Sequence, residues 1–338
     1  MTTRLLSYAL AALLTVAGCK DKPKDQTETK TDQIAMVKAP VFDADSAYRF
    51  IEQQIAFGPR VTNTVAHQRA GDYMMAKLKQ YGFEVTVQNF SPTAWNGTRL
   101  NARNIIGSFN PQVAKRILLA AHWDSRPFAD QDSVQANRTK PVLAANDAAS
   151  GVAVLLEIAR TIQQSKQKPT VGIDIIFFDA EDWGSGDKVS KDYEPKVGDQ
   201  VDFMGFCLGS RYWANNPHKP GYSAYYGVVL DMVGAKGATF MKEGYSNQFA
   251  GEVVNNLWKT ASQLGYSQQF VDQSTGPITD DHVALNLIAK IPTVDVVHYG
   301  VAGFFSGWHT THDDLSMIDK GTLKAVGQTL VQALYNEQ

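Results

Sequence analysis

Four short, nearly continuous apolar runs constrain the fold of this chain more than any other feature. They occupy residues 116–121, 173–178, 226–230 and 293–297. Runs of this length and composition are typical of strands that are buried on both faces of a sheet. Between them lie stretches with apolar residues at helical spacing. The alternation predicts an α/β protein with a single domain, a three-layer sandwich whose central mixed, mostly parallel sheet is covered by helices on both faces.

Apolar periodicity also predicts where the remaining elements lie. Thr62 or Asn63 is expected to cap the second helix, and Gly82 is expected to end it. The polar segment 184–206 is expected to be a long surface insertion, of the kind that is often functional. The predicted helices span 43–57, 63–81, 148–164, 207–216, 247–264, 282–288 and 319–336, and two more strands span 83–90 and 103–109.

The overall composition excludes several classes of protein. The 338 residues are 44% hydrophobic and 20% charged, which rules out disordered, collagen-like and disulfide-stapled chains. The 32 basic and 34 acidic residues leave a net charge of −2. This balance lacks the basic excess that marks nucleic-acid-binding proteins, so we expect no nucleic acid partner.

The first forty residues differ from the rest of the chain. Residues 1–19 combine a charged start, an apolar run and small residues before Cys19, which is typical of an export signal and too short to cross a membrane. The letters VAGC resemble a bacterial lipobox, in which Cys19 carries a lipid; an ordinary signal peptide is the alternative. Residues 20–40 are polar and predict a flexible tether. We therefore expect an exported lipoprotein of the cell envelope with a catalytic domain at 41–338.

Ionisable residues stand where the predicted buried strands end. Ligands bind beyond the carboxyl ends of the strands in open α/β sheets, so these side chains are expected at one site. Carboxylates gathered in this way repel one another unless a cation lies among them, and a mixture of histidine and carboxylate suggests zinc. The residues concerned are His122, Asp147, Glu181, Asp182, Asp231 and His309.

Each of these residues also has a simpler interpretation. Asp147 can be a helix N-cap, and Glu181 with Asp182 can be a solvated turn. Asp280 begins a DDH triplet that can be no more than the N-cap region of a helix. Asp231 is harder to dismiss, because it follows an apolar run in which an unpaired carboxylate is costly. The joint placement of these residues therefore indicates a site more strongly than any one of them.

The motifs HWDS, NDAASG, FFDAED, LDMVGA, DDH and WHT occur in an order that resembles the zinc aminopeptidase superfamily, which includes the glutaminyl cyclases. The resemblance spans roughly residues 45–335. It implies one of two activities. A glutaminyl-peptide cyclotransferase with one zinc ion converts the N-terminal glutamine of a peptide or protein into pyroglutamate and releases ammonia. An aminopeptidase with two zinc ions hydrolyses off the N-terminal residue.

The resemblance also implies roles for individual residues. Three protein ligands and an open position are typical of a catalytic zinc ion. Most relatives have glutamate where this chain has Asp182, and aspartate can also bind zinc. Glu181 corresponds to the general acid and base, with Asp231 and Asp280 hydrogen-bonded around it. Trp308, Phe304 or Phe305, and Trp183 are expected in the substrate pocket. The zinc ligands implied are Asp147, Asp182 and His309.

The choice between the two activities depends on fewer residues. Aminopeptidases usually carry serine where this chain has Asp280, which favours a cyclase. His122 and Asp231 fill the remaining positions of a two-zinc site, so the sequence does not decide whether a second zinc ion binds. A third alternative is a peptide-binding lipoprotein that has lost catalysis, which the intact acid pair and His309 disfavour. The chain contains no P-loop, G-x-S-x-G, HExxH or paired C-x-x-C motif.

Five residues with reactive side chains lie outside these motifs or beside them. His67 and His218 are expected at the surface, and His298 is expected to be structural. His312 follows His309 of the WHT motif by three residues and is not expected to bind metal. Cys207 is expected to be a free buried thiol.

Overall fold

The computed structural model describes residues 37–185, 203–300 and 303–337. Within these ranges the elements follow the predicted order closely. The helices are α1 (Ala44–Ile55), α2 (Val65–Gln80), α3 (Ala149–Gln164), α4 (Leu208–Asn215), α5 (Gly244–Gln263), α6 (Asp281–Leu287) and α7 (Lys320–Asn336). The strands are β1 (Glu84–Phe90), β2 (Ala102–Phe109), β3 (Arg116–His122), β4 (Gly172–Phe178), β5 (Tyr226–Asp231), β6 (Phe240–Lys242), β7 (Phe270–Ser274), β8 (Thr293–Val297), β9 (Tyr299–Gly300) and β10 (Gly303–Phe304).

The central sheet has six strands in the order β1-β2-β4-β3-β5-β8. The four apolar runs form its parallel part, β4, β3, β5 and β8, while β1 and β2 are antiparallel additions at one side. His122 pairs with Phe178, so β3 and β4 end level with each other. Asp231 pairs with Val297, which aligns the ends of β5 and β8 in the same way. The predicted mixed, mostly parallel sheet is confirmed.

Helices cover both faces of this sheet because side chains alternate along each buried strand. In β3, Ile117 and Leu119 belong to a large apolar cluster with side chains of α1, α2, α3, α5 and α7. Leu118 and Ala120 face the other way and belong to a second cluster with side chains of α4 and α6. All seven residues of β3 are buried. The predicted three-layer sandwich is therefore also confirmed.

The N-cap of α2 differs from the prediction by one or two residues. The Thr62 hydroxyl donates to Asp179, and the Asn63 amide bonds to the main chain of the β1–β2 loop. Both side chains are thus engaged elsewhere, and Thr64 caps the helix instead. Gly82 follows the helix with φ +82°, a left-handed conformation that glycine adopts without steric cost, as predicted.

The folded unit begins earlier than the expected boundary at residue 41. The expected export signal, Cys19 and the tether up to residue 36 lie outside the described residues. Residues 37–40, assigned to the tether from sequence, instead lie along α7. Gln332 donates to the carbonyl of Val37 at 2.7 Å, and Gln328 donates to that of Pro40 at 3.0 Å. No helix among the described residues is long and apolar enough to cross a membrane.

The expected surface insertion 184–206 is only partly described, because residues 186–202 lie outside the described ranges. Its end is not at the surface. Phe203 is fully buried, and the Ser185 N–H donates to the Met204 carbonyl at 2.9 Å. Apolar side chains in this last stretch explain the difference, because their removal from water is favourable.

We predict that Gly151→Ala destabilises the protein. A Cβ atom at this position of α3 would lie 2.5 Å from the Leu230 carbonyl oxygen and 2.9 Å from the Ala121 Cβ. The helix would have to move away from β3 and β5, and such overpacking costs about 1–3 kcal/mol of unfolding free energy. Urea denaturation measures this loss.

The matched control is Gly251→Ala in α5, where an added Cβ has nothing within 4 Å. This variant should keep the unfolding free energy of the parent or raise it by up to about 1 kcal/mol, because alanine favours a helix. Equal stabilities for the two variants would contradict the close contact between α3 and the sheet.

Candidate metal centre and active site

The ends of the parallel strands bring the predicted ionisable residues to one edge of the sheet. His122 is the last residue of β3, and Asp231 is the last residue of β5. Glu181 and Asp182 follow β4 closely, Asp147 precedes α3, and His309 comes from the loop after β10. Beside them lies a cavity of about 350 Å³. Its lining includes Asp147, Glu181, Asp231, Asp280, Trp308 and His309.

The first ligand group consists of Asp147, Asp182 and His309, whose ligand atoms lie within 4.8 Å of one another. His309 Nε2 is 3.0 Å from Asp182 Oδ1 and 3.8 Å from Asp147 Oδ2. Asp182 Oδ2 is buried and has no hydrogen-bond partner among the described residues. Burial alone would raise the pKa of Asp182, but His309 and Arg126 outweigh it and hold that pKa well below its usual range. Two carboxylates and one imidazole fit a zinc ion.

A second ligand group consists of His122, Asp147 and Asp231. His122 Nε2 is 2.9 Å from Asp147 Oδ1 and 3.4 Å from Asp231 Oδ1. Its other ring nitrogen, Nδ1, is 3.4 Å from Asp124. Asp147 belongs to both groups, which is the arrangement that a carboxylate bridging two ions requires.

Asp147 is held by its main chain and does not cap α3, so the N-cap interpretation is wrong. The N-cap is Ala148, and the helix has no side-chain capping bond. Both oxygens of Asp313 accept main-chain N–H bonds, from Asn146 at 2.7 Å and from Asp147 at 3.0 Å. The fully buried Arg60 donates to the carbonyls of residues 143 and 144. Asp147 therefore presents its side chain to the site from a fixed loop.

Glu181 and Asp182 are not a solvated turn, since Asp182 is buried and Glu181 is partly buried. Asp124 Oδ1 accepts the Glu181 N–H at 3.0 Å, and Oδ2 accepts the Asp182 N–H at 3.2 Å. Ala180 has φ +56°, the left-handed conformation that turns the chain sharply after β4. Arg126 donates to the Asp182 carbonyl at 2.9 Å. Sequence reasoning missed Asp124, although it lies within the HWDS motif.

Three carboxyl groups that do not belong to the first ligand group face each other across the cavity. Burial, with the nearby charges of Asp182 and Asp280, raises the pKa of Glu181 well above its usual value. Burial and Asp147 raise the pKa of Asp231 to about 8. Asp280 accepts the Asp281 N–H through Oδ1, and its Oδ2 has no partner among the described residues. A carboxyl whose pKa is raised toward the neutral range can both take up and release a proton, as acid–base catalysis requires.

Aromatic side chains form one wall of the cavity. The rings of Phe304 and Trp308 lie 4.6 Å apart, and Trp308 stacks on His309 at 3.9 Å. Phe206, from the last part of segment 184–206, also lines the cavity and was missed. Phe305 does not line it; this side chain is buried in an apolar cluster beside the cavity.

Trp183 does not lie at the cavity, which corrects the expectation that it lines the pocket. Its side chain packs with Phe90 and Leu100 in a separate apolar cluster. The chain changes direction immediately after Asp182, so the two neighbouring side chains point to different places. Adjacency in sequence to the acid pair was therefore a misleading signal.

The remaining histidines have separate surroundings. His67 is not at the surface: it is buried, bonds to Asp179 at 2.8 Å and stacks on Trp123 at 4.2 Å. His218 is partly buried and accepts a bond from the Trp213 indole, so it too departs from a fully exposed residue. His298 packs against Phe305, and His312 is exposed. Cys207 is free and buried, as predicted.

This fold and this group of carboxylates and imidazoles define a metal-dependent α/β enzyme. A family model described as peptidase family M28 matches residues 104–334, a range that contains every ligand of both groups. The chain belongs to peptidase family M28.

Similar proteins carry two kinds of name. The glutaminyl-peptide cyclotransferase of Drosophila melanogaster is 23% identical over 289 residues, which cover 78% of this chain and 73% of that protein. The crystal structure of Bacteroides thetaiotaomicron glutaminyl cyclase bound to N-acetylhistamine is 48% identical, with a TM-score of 0.83, 89% of this chain covered and 100% of that chain. The crystal structure of a Zn-dependent exopeptidase from Parabacteroides distasonis is also 48% identical, with a TM-score of 0.83. The match covers 89% of this chain and 100% of that chain.

We predict that Asp313→Ala weakens zinc binding without removing a ligand. The N–H groups of Asn146 and Asp147 would lose their acceptor, so the Asp147 carboxylate would no longer be held in place. Loss of such a supporting partner typically lowers metal affinity by about 10–100-fold. Competition with a chromophoric chelator measures the affinity.

Asp313→Asn keeps an acceptor oxygen and should lower the affinity less. The matched control is Asp314→Ala, which removes the cap of a short helix at residues 315–317 and touches neither ligand group. Zinc affinities that are equal in Asp313→Ala and Asp314→Ala would contradict the supporting role of Asp313.

Proposed function

We propose that this chain cyclises the N-terminal glutamine of peptides or proteins to pyroglutamate and releases ammonia. The observation that carries the proposal is the position of Asp280. This carboxyl lines the cavity, and one of its oxygens lies within 4.8 Å of a Glu181 oxygen. A second buried carboxyl beside Glu181 suits a reaction in which a proton is first taken from an amine and then given to a leaving nitrogen. The likeness to glutaminyl cyclases supports the same conclusion.

The reaction needs no nucleophile from outside the substrate. The α-amine of the glutamine attacks the carbon of its own γ-carboxamide, a C–N bond forms, and the bond to the amide nitrogen breaks as ammonia leaves. Glu181 accepts the proton from the attacking amine and delivers it to the leaving nitrogen. Burial and the nearby charges of Asp182 and Asp280 raise the pKa of the Glu181 carboxyl, and Asp231 lines the same cavity. The cavity holds the substrate in the compact conformation that ring closure requires.

The residues present fit one zinc ion. Asp147, Asp182 and His309 converge within ligand distance of one another, and the unpartnered Asp182 Oδ2 is a donor atom left for the metal. When bound, zinc supplies a Lewis acid that stabilises negative charge on the γ-carboxamide oxygen. Trp308 and Phe304 provide the apolar wall against which the methylene groups of the glutamine side chain pack.

An aminopeptidase with two zinc ions is the second candidate. Two features favour it. Asp147 is shared by both ligand groups, and several similar structures are named as exopeptidases or as a leucine aminopeptidase precursor. In that reaction Glu181 would take a proton from water instead of from the substrate's amine. A catalytically inactive peptide-binding lipoprotein is the third, and the retained ligands and Glu181 argue against it.

We predict that a peptide beginning with glutamine loses one ammonia when it is incubated with the protein, as measured by mass spectrometry. Glu181→Gln should lower kcat by at least about 100-fold, because the amide cannot carry the proton. Zinc content should stay at the parent value, since Glu181 is not in the first ligand group. A zinc chelator should abolish turnover, and added zinc should restore it.

The control is Glu252→Gln, an exposed glutamate in α5, which should keep the activity of the parent. Release of the whole first residue would show an aminopeptidase and overturn the argument from Asp280. If the peptide is unchanged although the protein contains stoichiometric zinc, the third candidate, a catalytically inactive peptide-binding lipoprotein, is favoured.

We also propose that the protein is an exported bacterial lipoprotein of the cell envelope, attached to a membrane by a lipid on Cys19. The support is in the sequence alone: the charged start, the short apolar run and the VAGC motif. A soluble catalytic unit held by a polar tether fits a substrate as large as a protein.

We predict that a radiolabelled fatty acid is incorporated into the parent protein and that Cys19→Ser abolishes the label and releases the protein from membranes. Cys207→Ser is the matched control, because it removes the second of the two cysteines, which is buried in the folded unit. This control should keep the label. Equal membrane association of Cys19→Ser and the parent would contradict lipid attachment at this residue.

A further inference from the structure

The side chain of Cys207 contacts the proposed acid–base residue. Its Sγ atom lies 3.2 Å from Glu181 Oε1 in hydrogen-bond geometry. Among the described residues, this thiol is the hydrogen-bond donor that reaches the Glu181 carboxyl. Cys207 is separated from Glu181 by 26 residues, and no motif of the sequence contains it. The contact is therefore made by the fold.

Two main-chain hydrogen bonds fix the same two segments against each other. The Cys207 N–H donates to the Glu181 carbonyl at 2.9 Å, and the Leu208 N–H donates to the Ala180 carbonyl at 3.2 Å. Cys207 and Ala180 both have left-handed backbone conformations, with φ +58° and +56°. Residues with a Cβ rarely adopt this conformation, and where they do the surroundings hold them in it. Glu181 is thus joined to Cys207 through both its main chain and its side chain.

The thiol has no role in the helix that it precedes. Cys207 occupies the N-cap position of α4, yet its side chain makes no capping bond. It is fully buried in the apolar cluster that contains Phe178, Phe203 and Trp213. Burial, together with the neighbouring carboxyl of Glu181, raises the pKa of the Cys207 thiol well above its usual value. The sulfur therefore keeps its proton and is a donor toward Glu181, not a thiolate that binds metal.

We propose that Cys207 is a positioning residue for Glu181, whose carboxyl it holds by a hydrogen bond from its thiol to Oε1. The second carboxyl oxygen, Oε2, then exchanges the proton with the substrate. This inference rests on the proposed role of Glu181 as acid and base. It does not depend on which reaction occurs, because Glu181 has that role in both cyclisation and peptide hydrolysis.

The test compares Cys207→Ala with Cys207→Ser in the full chain. The alanine variant should lower kcat about tenfold, which corresponds to about 1.4 kcal/mol. KM should stay within about twofold, and zinc stoichiometry should not change. Serine keeps a donor at nearly the same place, so its kcat should be within about threefold of the parent. A serine variant no faster than the alanine variant would overturn the proposal, as would a loss of zinc in either variant.

The matched control is Ile291→Val, which removes one heavy atom from the same apolar cluster and does not touch Glu181. It should lower the melting temperature about as much as Cys207→Ala and leave kcat unchanged. A fall in kcat equal to that of Cys207→Ala would show that Cys207 acts through packing alone.

An infrared measurement tests the contact without any assay of activity. The S–H stretching band of Cys207 is identified by its absence in Cys207→Ser. A hydrogen-bonded thiol absorbs at lower frequency than a free one, so Glu181→Ala should move the band to higher frequency. An unmoved band would overturn the proposal. If the parent neither cyclises nor hydrolyses peptides, the proposed function fails while the infrared result still decides whether the thiol holds Glu181.

Discussion

The concentration of buried carboxylates at one edge of the sheet is the constraint on which the rest of this structure depends. Asp147 and Asp182 are buried and Asp231 is largely buried, so water screens the repulsion between their charges only weakly. Positive groups must therefore stand among them. Burial alone would lower the pKa of His122, but the carboxylates around it raise that pKa well above its usual value. His309 and Arg126 likewise stabilise the charged form of Asp182 and lower its pKa. A zinc ion held by the first ligand group would supply further positive charge.

The ligand carboxylates stay close together because a second set of carboxylates forms hydrogen bonds to the main chain of the loops that carry them. Asp124 and Asp313 contribute no atom to either ligand group. Each accepts two main-chain N–H bonds, one from a ligand residue and one from the residue that precedes it. Burial raises the pKa of Asp313 to about 8. Each of these bonds gives a buried main-chain N–H group an acceptor, and together they fix the direction in which the ligand side chains point. The first ligand group is therefore built by three loops that the sheet places next to one another, and its geometry depends on polar contacts as much as on the apolar layers.

Most of the fold and the ligand set could be predicted from the sequence, because both depend on local patterns. Periodicity predicted the seven helices and the six strands of the central sheet to within a few residues, but not the short strands β6, β7, β9 and β10. The rule that strand ends face one edge gathered the ionisable residues. Asp313 and Arg60 could not be found in this way. They act through main-chain groups far away in sequence, and no spacing encodes such a contact. Trp183 failed for the opposite reason: it lies next to the ligand Asp182, yet the turn after that residue directs its side chain into another cluster.

Asp147 and Asp280 each stand at the start of a helix, where an aspartate can cap the helix, act in the site, or do both. For Asp147 the two interpretations compete: its side chain does not cap α3, and its carboxylate belongs to both ligand groups. For Asp280 they coincide. Its Oδ1 accepts the first N–H of α6, while Oδ2, beside Glu181, has no hydrogen-bond partner in the part of the chain that the structure describes. The capping bond fixes the carboxyl in the one orientation that leaves an oxygen for the site. A serine in this place would also cap the helix, so the residue that separates the two candidate activities can change the chemistry of the cavity without changing the fold around it.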